Sequence, residues 1–135
     1  MSGVRLIFEP PLARLVLDRP ERRNAMSGAM WRDLARLCAE VETREDIAAV
    51  IVEGAGGHFC SGADIAEFDD VFADLQSARE YLGDIERSLE ALSRMDRPTL
   101  GKVEGSCVGG GLAIALACDV RFSSETAHLA IPPAK

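Results

Sequence analysis

The sequence predicts an α/β chain with parallel β-structure and crossover helices. Short runs rich in Val, Ile and Leu alternate with longer stretches of helical period. Glycine or proline closes several of the β-type runs, as in "IAAVIVEG" (47–54). The chain has 135 residues, 47% hydrophobic and 27% charged, which suits one modest globular domain with a real core.

The elements follow in order. "VRLIFE" (4–9) and "LARLVLDRP" (12–20) read as two strands joined around Pro10 and Pro11 in a hairpin-like turn, and Pro20 ends the second. "ERRNAMS" (21–27) is a polar loop whose Ser27 is the N-cap of the next helix. In "GAMWRDLARLCAEVE" (28–42), Met30, Leu34, Leu37, Cys38 and Val41 recur at helical spacing. Residues 47–54 form a buried strand. The stretch 68–96 is helical, with a break expected near Gly83. "RPTLGKVEG" (97–105) returns as a strand, "GGGLAIALA" (109–117) is a buried helix, and "DVRFSSE" (119–125) and "HLAI" (128–131) finish as strands. The closing "AIPPAK" stops in mid-pattern, where an amphipathic helix would normally cover the last strands. The expectation is a fragment or truncated product, with domain 1–135 incomplete at its C-terminus.

Charge and cysteine usage narrow the function classes. A net charge of −7 argues against a general nucleic-acid binder, which needs a basic stripe. It leaves room for an anionic small ligand held by local arginines. Cys38, Cys60, Cys107 and Cys118 form no CxxC pair and have no histidine at zinc spacing, so no metal site is expected. Reduced, mostly buried cysteines suggest an intracellular, cytoplasmic protein. "MSGVRLIFEPP" lacks the apolar run of a signal peptide, and nowhere do eighteen apolar residues run uninterrupted, so no membrane span is expected.

Two glycine-dense stretches carry the chemistry. "EGAGGHFCSGADI" (53–65) follows a strand, but Phe59 occupies the place of the last glycine in a dinucleotide fingerprint and no Gly-Lys-Ser/Thr follows for a phosphate loop. No G-x-S-x-G elbow exists, so a serine hydrolase is unsupported. What remains is loop backbone with very small side chains at Ser61, Gly62 and Ala63. The second stretch, Gly109, Gly110 and Gly111, runs straight into a helix, whose first N–H groups favour negative charge. One N–H from each loop, aimed at one oxygen, would make an oxyanion hole. Each loop taken alone reads more readily as a tight turn that needs positive φ.

Taken together, "LDRPERRNAMS" (17–27), "GGHFCSGADI" (56–65) and "GKVEGSCVGGGLAIALACDVRFSSETAHLAIPPAK" (101–135) resemble three successive blocks of the enoyl-CoA hydratase/isomerase, or crotonase, superfamily. The resemblance covers essentially the whole chain. It implies a crotonase-like spiral of ββα units, followed in the family by a helical region for trimer assembly that would be mostly missing here. It implies Ala63 and Gly110 as the two backbone donors that polarise an acyl-CoA thioester carbonyl and stabilise the enolate. Ala25, Ser61, Asp64 and Ile65 match positions along the coenzyme A path, and Arg22 and Arg23 match the loop at its nucleotide end. Asp64 reads equally as a helix cap. No cofactor is implied beyond coenzyme A, which is part of the substrate.

The departures are as informative. The two glutamates with which family hydratases handle water and its protons align with Ala113 and Pro133, neither of which transfers a proton. Asp69, Asp70, Asp74 and Glu86 are the candidates in this chain to substitute, although each reads more readily as a solvated surface charge, and a base from the C-terminal part expected to be missing serves equally well. Two classes stay open. One is an acyl-CoA enzyme of the enoyl-CoA hydratase/isomerase type, with isomerase, decarboxylase or hydratase-like chemistry. The other is a non-catalytic acyl-CoA-binding or assembly module. Either is expected to form a homo-oligomer, a trimer or a hexamer, because strands left without cover tend to be buried by association.

Overall fold

The computed structural model describes residues 3–132. Pro133, one of the two aligned glutamate positions, lies outside the described residues. The α/β expectation holds. Among the described residues, seven strands and four α-helices follow in the order β1 (Val4–Glu9), β2 (Leu12–Leu17), α1 (Gly28–Glu42), β3 (Ala49–Gly54), α2 (Phe68–Val71), α3 (Leu75–Ser93), β4 (Thr99–Val103), β5 (Ser106–Val108), α4 (Gly110–Ala117), β6 (Val120–Ser123) and β7 (His128–Ala130).

The main sheet has the order β1-β2-β3-β4-β6. The first pair is the antiparallel hairpin turning at Pro10 and Pro11, with Glu9 opposite Leu12. Every later pairing in it is parallel, with Leu12 opposite Ala49, Val50 opposite Thr99 and Leu100 opposite Val120. Each parallel step needs a crossover, and the helices supply it. The second sheet is the parallel pair β5 and β7. Sequence reading missed β5, because three residues between Gly105 and the glycine run are too few to show a period.

Helix α1 forms where its pattern says. Ser27 Oγ accepts the Met30 N–H at 3.2 Å, and the apolar face buries Met30, Leu34, Leu37, Cys38 and Val41, together with Trp31. Its far end is closed by Arg97, whose Nη1 donates to the carbonyls of Val41, Arg44 and Ile47 at 3.3, 2.7 and 3.1 Å. The predicted helix over 68–96 breaks at a different point from the one expected. Gly83 lies inside a continuous α3, and the interruption falls at 72–74. Asp74 decides it, since its carboxylate accepts the Ser77 N–H at 2.7 Å and starts a new helix there. A mid-helix glycine costs only about 1 kcal/mol, which the packing of α3 on α1 absorbs.

The core lies between the main sheet and the α1/α3 layer, built on Leu15, Leu17, Val50 and Val52 from the strands and Trp31, Leu34 and Leu92 from the helices. All four cysteines are free and buried in it. Helix α4 is less enclosed than its apolar sequence suggests. Ile114 and Ala115 are buried, but Leu116 is 60% exposed, because no described element covers its outer face. No helix among the described residues is long and apolar enough to cross a membrane.

Candidate functional site

Three loops converge at one end of the sheet: 19–26 after β2, 58–65 after β3, and 105–111 around β5. Asn24 ties the first to the turn that leads into the second. Its backbone is left-handed (φ 59°) and its side chain is fully buried. Oδ1 accepts the Arg19 N–H at 2.7 Å, and Nδ2 donates to the carbonyls of Ala55 and His58 at 2.9 and 2.7 Å. That satisfies both ends of a buried amide.

The first loop is then laced to the second. Ser61 N–H donates to the Arg23 carbonyl at 3.0 Å and Ser61 Oγ to the Arg22 carbonyl at 3.2 Å. Met26 N–H donates to the Gly62 carbonyl at 2.7 Å, and Asp64 N–H to the Met26 carbonyl at 2.9 Å, so that Ala63 stands opposite Met26 in an isolated parallel bridge. The second loop is laced to the third in the same way. Cys60 N–H donates to the Ser106 carbonyl at 2.9 Å, and Val108 N–H to the Cys60 carbonyl at 3.0 Å, which makes Cys60 and Cys107 backbone bridge partners. His58 adds a side-chain tie, its Nδ1 accepting the Ser106 N–H at 2.9 Å.

Each of the three consecutive glycines has its own reason. Gly109 adopts φ +56°, a left-handed conformation that a side chain resists, and its N–H donates to the Ala130 carbonyl at 3.0 Å. Gly110 has no positive φ, but a Cβ there would stand 3.1 Å from Trp31 Cζ2. At Gly111 a Cβ would overlap the Cys60 carbonyl oxygen and lie 2.8 Å from Cys60 Cβ. The glycines thus bring the start of α4 hard against the 58–65 loop and the Trp31 ring. Inside the helix the first N–H with a partner is that of Ala113, which donates to the Gly109 carbonyl at 3.0 Å. The N–H groups of Ala63 and Gly110 have no acceptor among the described residues.

The other expected site residues fall around this junction. Ala25 is buried, its carbonyl accepting from Arg19 Nη1 at 3.4 Å. Ser61 is half-buried and Ile65 is 76% exposed. Arg22 and Arg23 are exposed at the mouth. Asp64 serves as the cap: Oδ1 accepts the Ala66 N–H at 3.1 Å and Oδ2 pairs with Arg19 Nη2 at 2.9 Å. Burial works against its ionisation, but the Ala66 N–H and the Arg19 guanidinium outweigh it and hold the carboxyl below the usual range.

The acids considered as substitutes separate. Asp74 is the α3 cap. Asp69 and Asp70 are exposed on α2, and Asp70 lines a cavity of about 330 Å³ with Glu67, Glu80, Tyr81 and Asp84. Glu86 alone of the four shares a groove with Ala113, a space of about 740 Å³ between α3 and α4 that Leu82, Leu89 and Leu116 also line.

Four residues of this region escaped the sequence reading: Asn24, Trp31, His58 and Glu67. Glu67 Oε1 accepts the Gly28 N–H at 2.8 Å, at the end of α1 where negative charge is favoured. Burial, together with the charges of Glu67 and Asp64, pushes the neighbouring Tyr81 phenol up. A left-handed Asn and a lone Trp on a helix face leave no spacing signal.

Residues 8–135 match the enoyl-CoA hydratase/isomerase family. The chain is 37% identical over 122 residues to YngF of Bacillus subtilis, covering 90% of this chain and 46% of that protein. It is 31% identical over 124 residues to the mitochondrial Delta(3,5)-Delta(2,4)-dienoyl-CoA isomerase of Rattus norvegicus, covering 85% and 38%. The solved enoyl-CoA hydratase/carnithine racemase of Magnetospirillum magneticum superposes with a TM-score of 0.93 at 35% identity, covering 98% of this chain and 50% of that one. The chain spans about half the length of these relatives or less. Its fold is therefore that of the crotonase half-domain its three sequence blocks resemble, and the chain belongs to the enoyl-CoA hydratase/isomerase family.

Proposed function

We propose that the chain binds an acyl-CoA thioester with the carbonyl oxygen between the N–H groups of Ala63 and Gly110, and stabilises the enolate that forms when a proton leaves the α-carbon. The observation that carries this reading is the pair of N–H groups without acceptors among the described residues, on two loops joined through the Cys60–Cys107 backbone bridge. Such donors act strongly because they need no reorganisation as charge develops. Loss of one typically costs about 2.7–4 kcal/mol of transition-state stabilisation. The position of Gly110 at the first turn of α4 adds the partial positive charge of a helix start. Ala25, Ser61 and Ile65 then border the coenzyme A path, with Asp64 holding the loop rather than meeting the ligand. Coenzyme A enters as part of the substrate, and no separate cofactor is required. Free, buried thiols favour a reducing, cytoplasmic setting.

The reaction favoured is double-bond isomerisation rather than hydration. Ala113 supplies no acid to activate water, whereas moving a double bond needs the enolate and one proton carrier. Glu86, across the groove from Ala113, is the first candidate for that role. A second reading, thioester binding without turnover, draws on the same Ala113. Product analysis on enoyl-, dienoyl- and malonyl-type CoA thioesters separates the two. A folded Gly110→Pro variant with unchanged thioester affinity and turnover would overturn the carbonyl assignment.

A further inference from the structure

We propose that Trp31 is a positioning residue for the Gly110 N–H, acting as the floor that sets where the α4 N-terminus points. This rests on the thioester-binding reading above. Trp31 is 1% exposed and sits in the first turn of α1, far in sequence from the glycine run. The outer edge of its six-membered ring faces Gly110: a methyl group at that glycine would lie 3.1 Å from Cζ2 and 3.5 Å from Cη2. Since Gly110 does not need a positive φ, the backbone there would accept alanine. It is the indole edge that a methyl there would press, so that the ring would have to give by a few tenths of an ångström.

The main chain that carries the ring is tied to α3. The Trp31 carbonyl accepts the hydroxyl proton of Ser88 on α3, and Ser88 is fully buried. The Nε1–H of the indole is buried with no acceptor among the described residues, although the Tyr81 phenol lies near it. A ring placed for packing alone would more simply be Phe or Leu, which bring no polar N–H into the core. What the indole supplies beyond Phe is the reach of its second ring, and that ring is what touches Gly110.

Trp31 is the chain's one tryptophan, so the coupling can be read directly by fluorescence. The experiment titrates the protein with butyryl-CoA, which has a thioester carbonyl but no reactive double bond, and with free coenzyme A, which has no carbonyl. Equilibrium dialysis reports binding independently. The expected result is a change in Trp31 emission with butyryl-CoA and none with free coenzyme A at equal occupancy. Gly110→Ala is expected to weaken butyryl-CoA binding at least about tenfold, since the methyl must displace the ring. Adding Trp31→Phe, which trims the second ring, is expected to restore most of that loss. Trp31→Phe alone is expected to weaken butyryl-CoA while leaving free coenzyme A unchanged, a split that mere loss of stability would not give. Thermal melts of each variant in the absence of ligand show whether it folds. If the parent does not bind butyryl-CoA in dialysis, the thioester reading fails and takes this inference with it. If the parent binds but Trp31 emission is unmoved, or Trp31→Phe does not rescue Gly110→Ala, the positioning role fails while the thioester reading stands.

Discussion

Arg19 and Asp64 pair at 2.9 Å across two loops that are 45 residues apart in the chain, and the same carboxylate caps the turn that begins at Ile65. The pair is well shielded, with the Asp64 side chain 8% and the Arg19 side chain 24% exposed. Asp64→Asn keeps the cap but removes the charge. It is expected to destabilise the protein by about 1–2 kcal/mol, in the range of a charge-assisted hydrogen bond. The sign with pH follows from the lowered carboxyl. The contribution is complete above the ordinary value of 3.8 and is lost as pH falls through it toward the lower folded-state value. Urea unfolding at pH 7 and pH 3 checks this: the gap between parent and variant is expected to shrink at pH 3.

Hydration of crotonyl-CoA is expected to be slow. With no acid at Ala113 or Pro133, a rate at least several hundredfold below a typical family hydratase is expected, given about 10²–10⁴-fold per acid–base group and strong non-additivity. Ala113→Glu, on a half-buried face of α4 beside an open groove, is expected to raise the rate. An ordinary family rate in the unmodified protein would show that the acid positions are misassigned.

Glu86→Gln tests the proposed proton carrier. Isomerisation of a 3-enoyl-CoA is expected to fall by about 10²-fold in kcat with little change in KM. Asp74→Asn, at the α3 cap, should instead lower the melting temperature and leave kcat of the folded protein close to the parent. Equal kcat losses in both variants would remove Glu86 from the mechanism.

The four thiols are expected to be inert in the native state. Burial pushes Cys38, Cys60 and Cys118 up to about 12 and Cys107 to about 11. Iodoacetamide at pH 8 should label the native protein slowly and all four sites in guanidinium, as read by mass. Stability tied to the neutral thiols is flat below their ordinary value of 9.0 and declines as pH rises through it toward the folded-state values.

Self-association is expected from the apolar side chains left at the β6 and β7 side. Phe122 is 61% exposed, Ile131 79%, Leu116 60% and Val120 47%, and β6 is an edge of the main sheet. Light scattering at micromolar concentration is expected to give a trimer or hexamer, and Phe122→Arg to shift it toward monomer. A clean monomer in the parent would count against this.

The fold was legible where a period or a breaker had room to act. The hairpin around Pro10 and Pro11, the Ser27-capped α1 and the alternation of strand and helix all came from such signals. Gly83 misled because glycine propensity is a weak term beside an Asp cap nine residues earlier. The candidate site was legible only in its backbone. Small residues at 61–63 and 109–111 announce a close approach, but what approaches them is set by tertiary contact. Nothing in the spacing of Asn24 or Trp31 says that one will tie 19–26 to the turn at 55–58, or that the other will lie under Gly110. Those contacts span sequence separations over which local pattern carries no information.

The backbone bridge between Cys60 and Cys107 has a consequence for how such a site can change. The separation of the two loops is set by the pitch of a β-ladder, about 4.8 Å between neighbouring chains, with the His58 Nδ1 tie to the Ser106 N–H beside it. Acids can therefore be deleted or moved along the surrounding helices without altering the gauge between the loops. On the proposed reading, a scaffold ruled in this way separates holding a carbonyl from deciding what happens next to it, and Ala113, where the resemblance implies a glutamate, is the position that tests the separation.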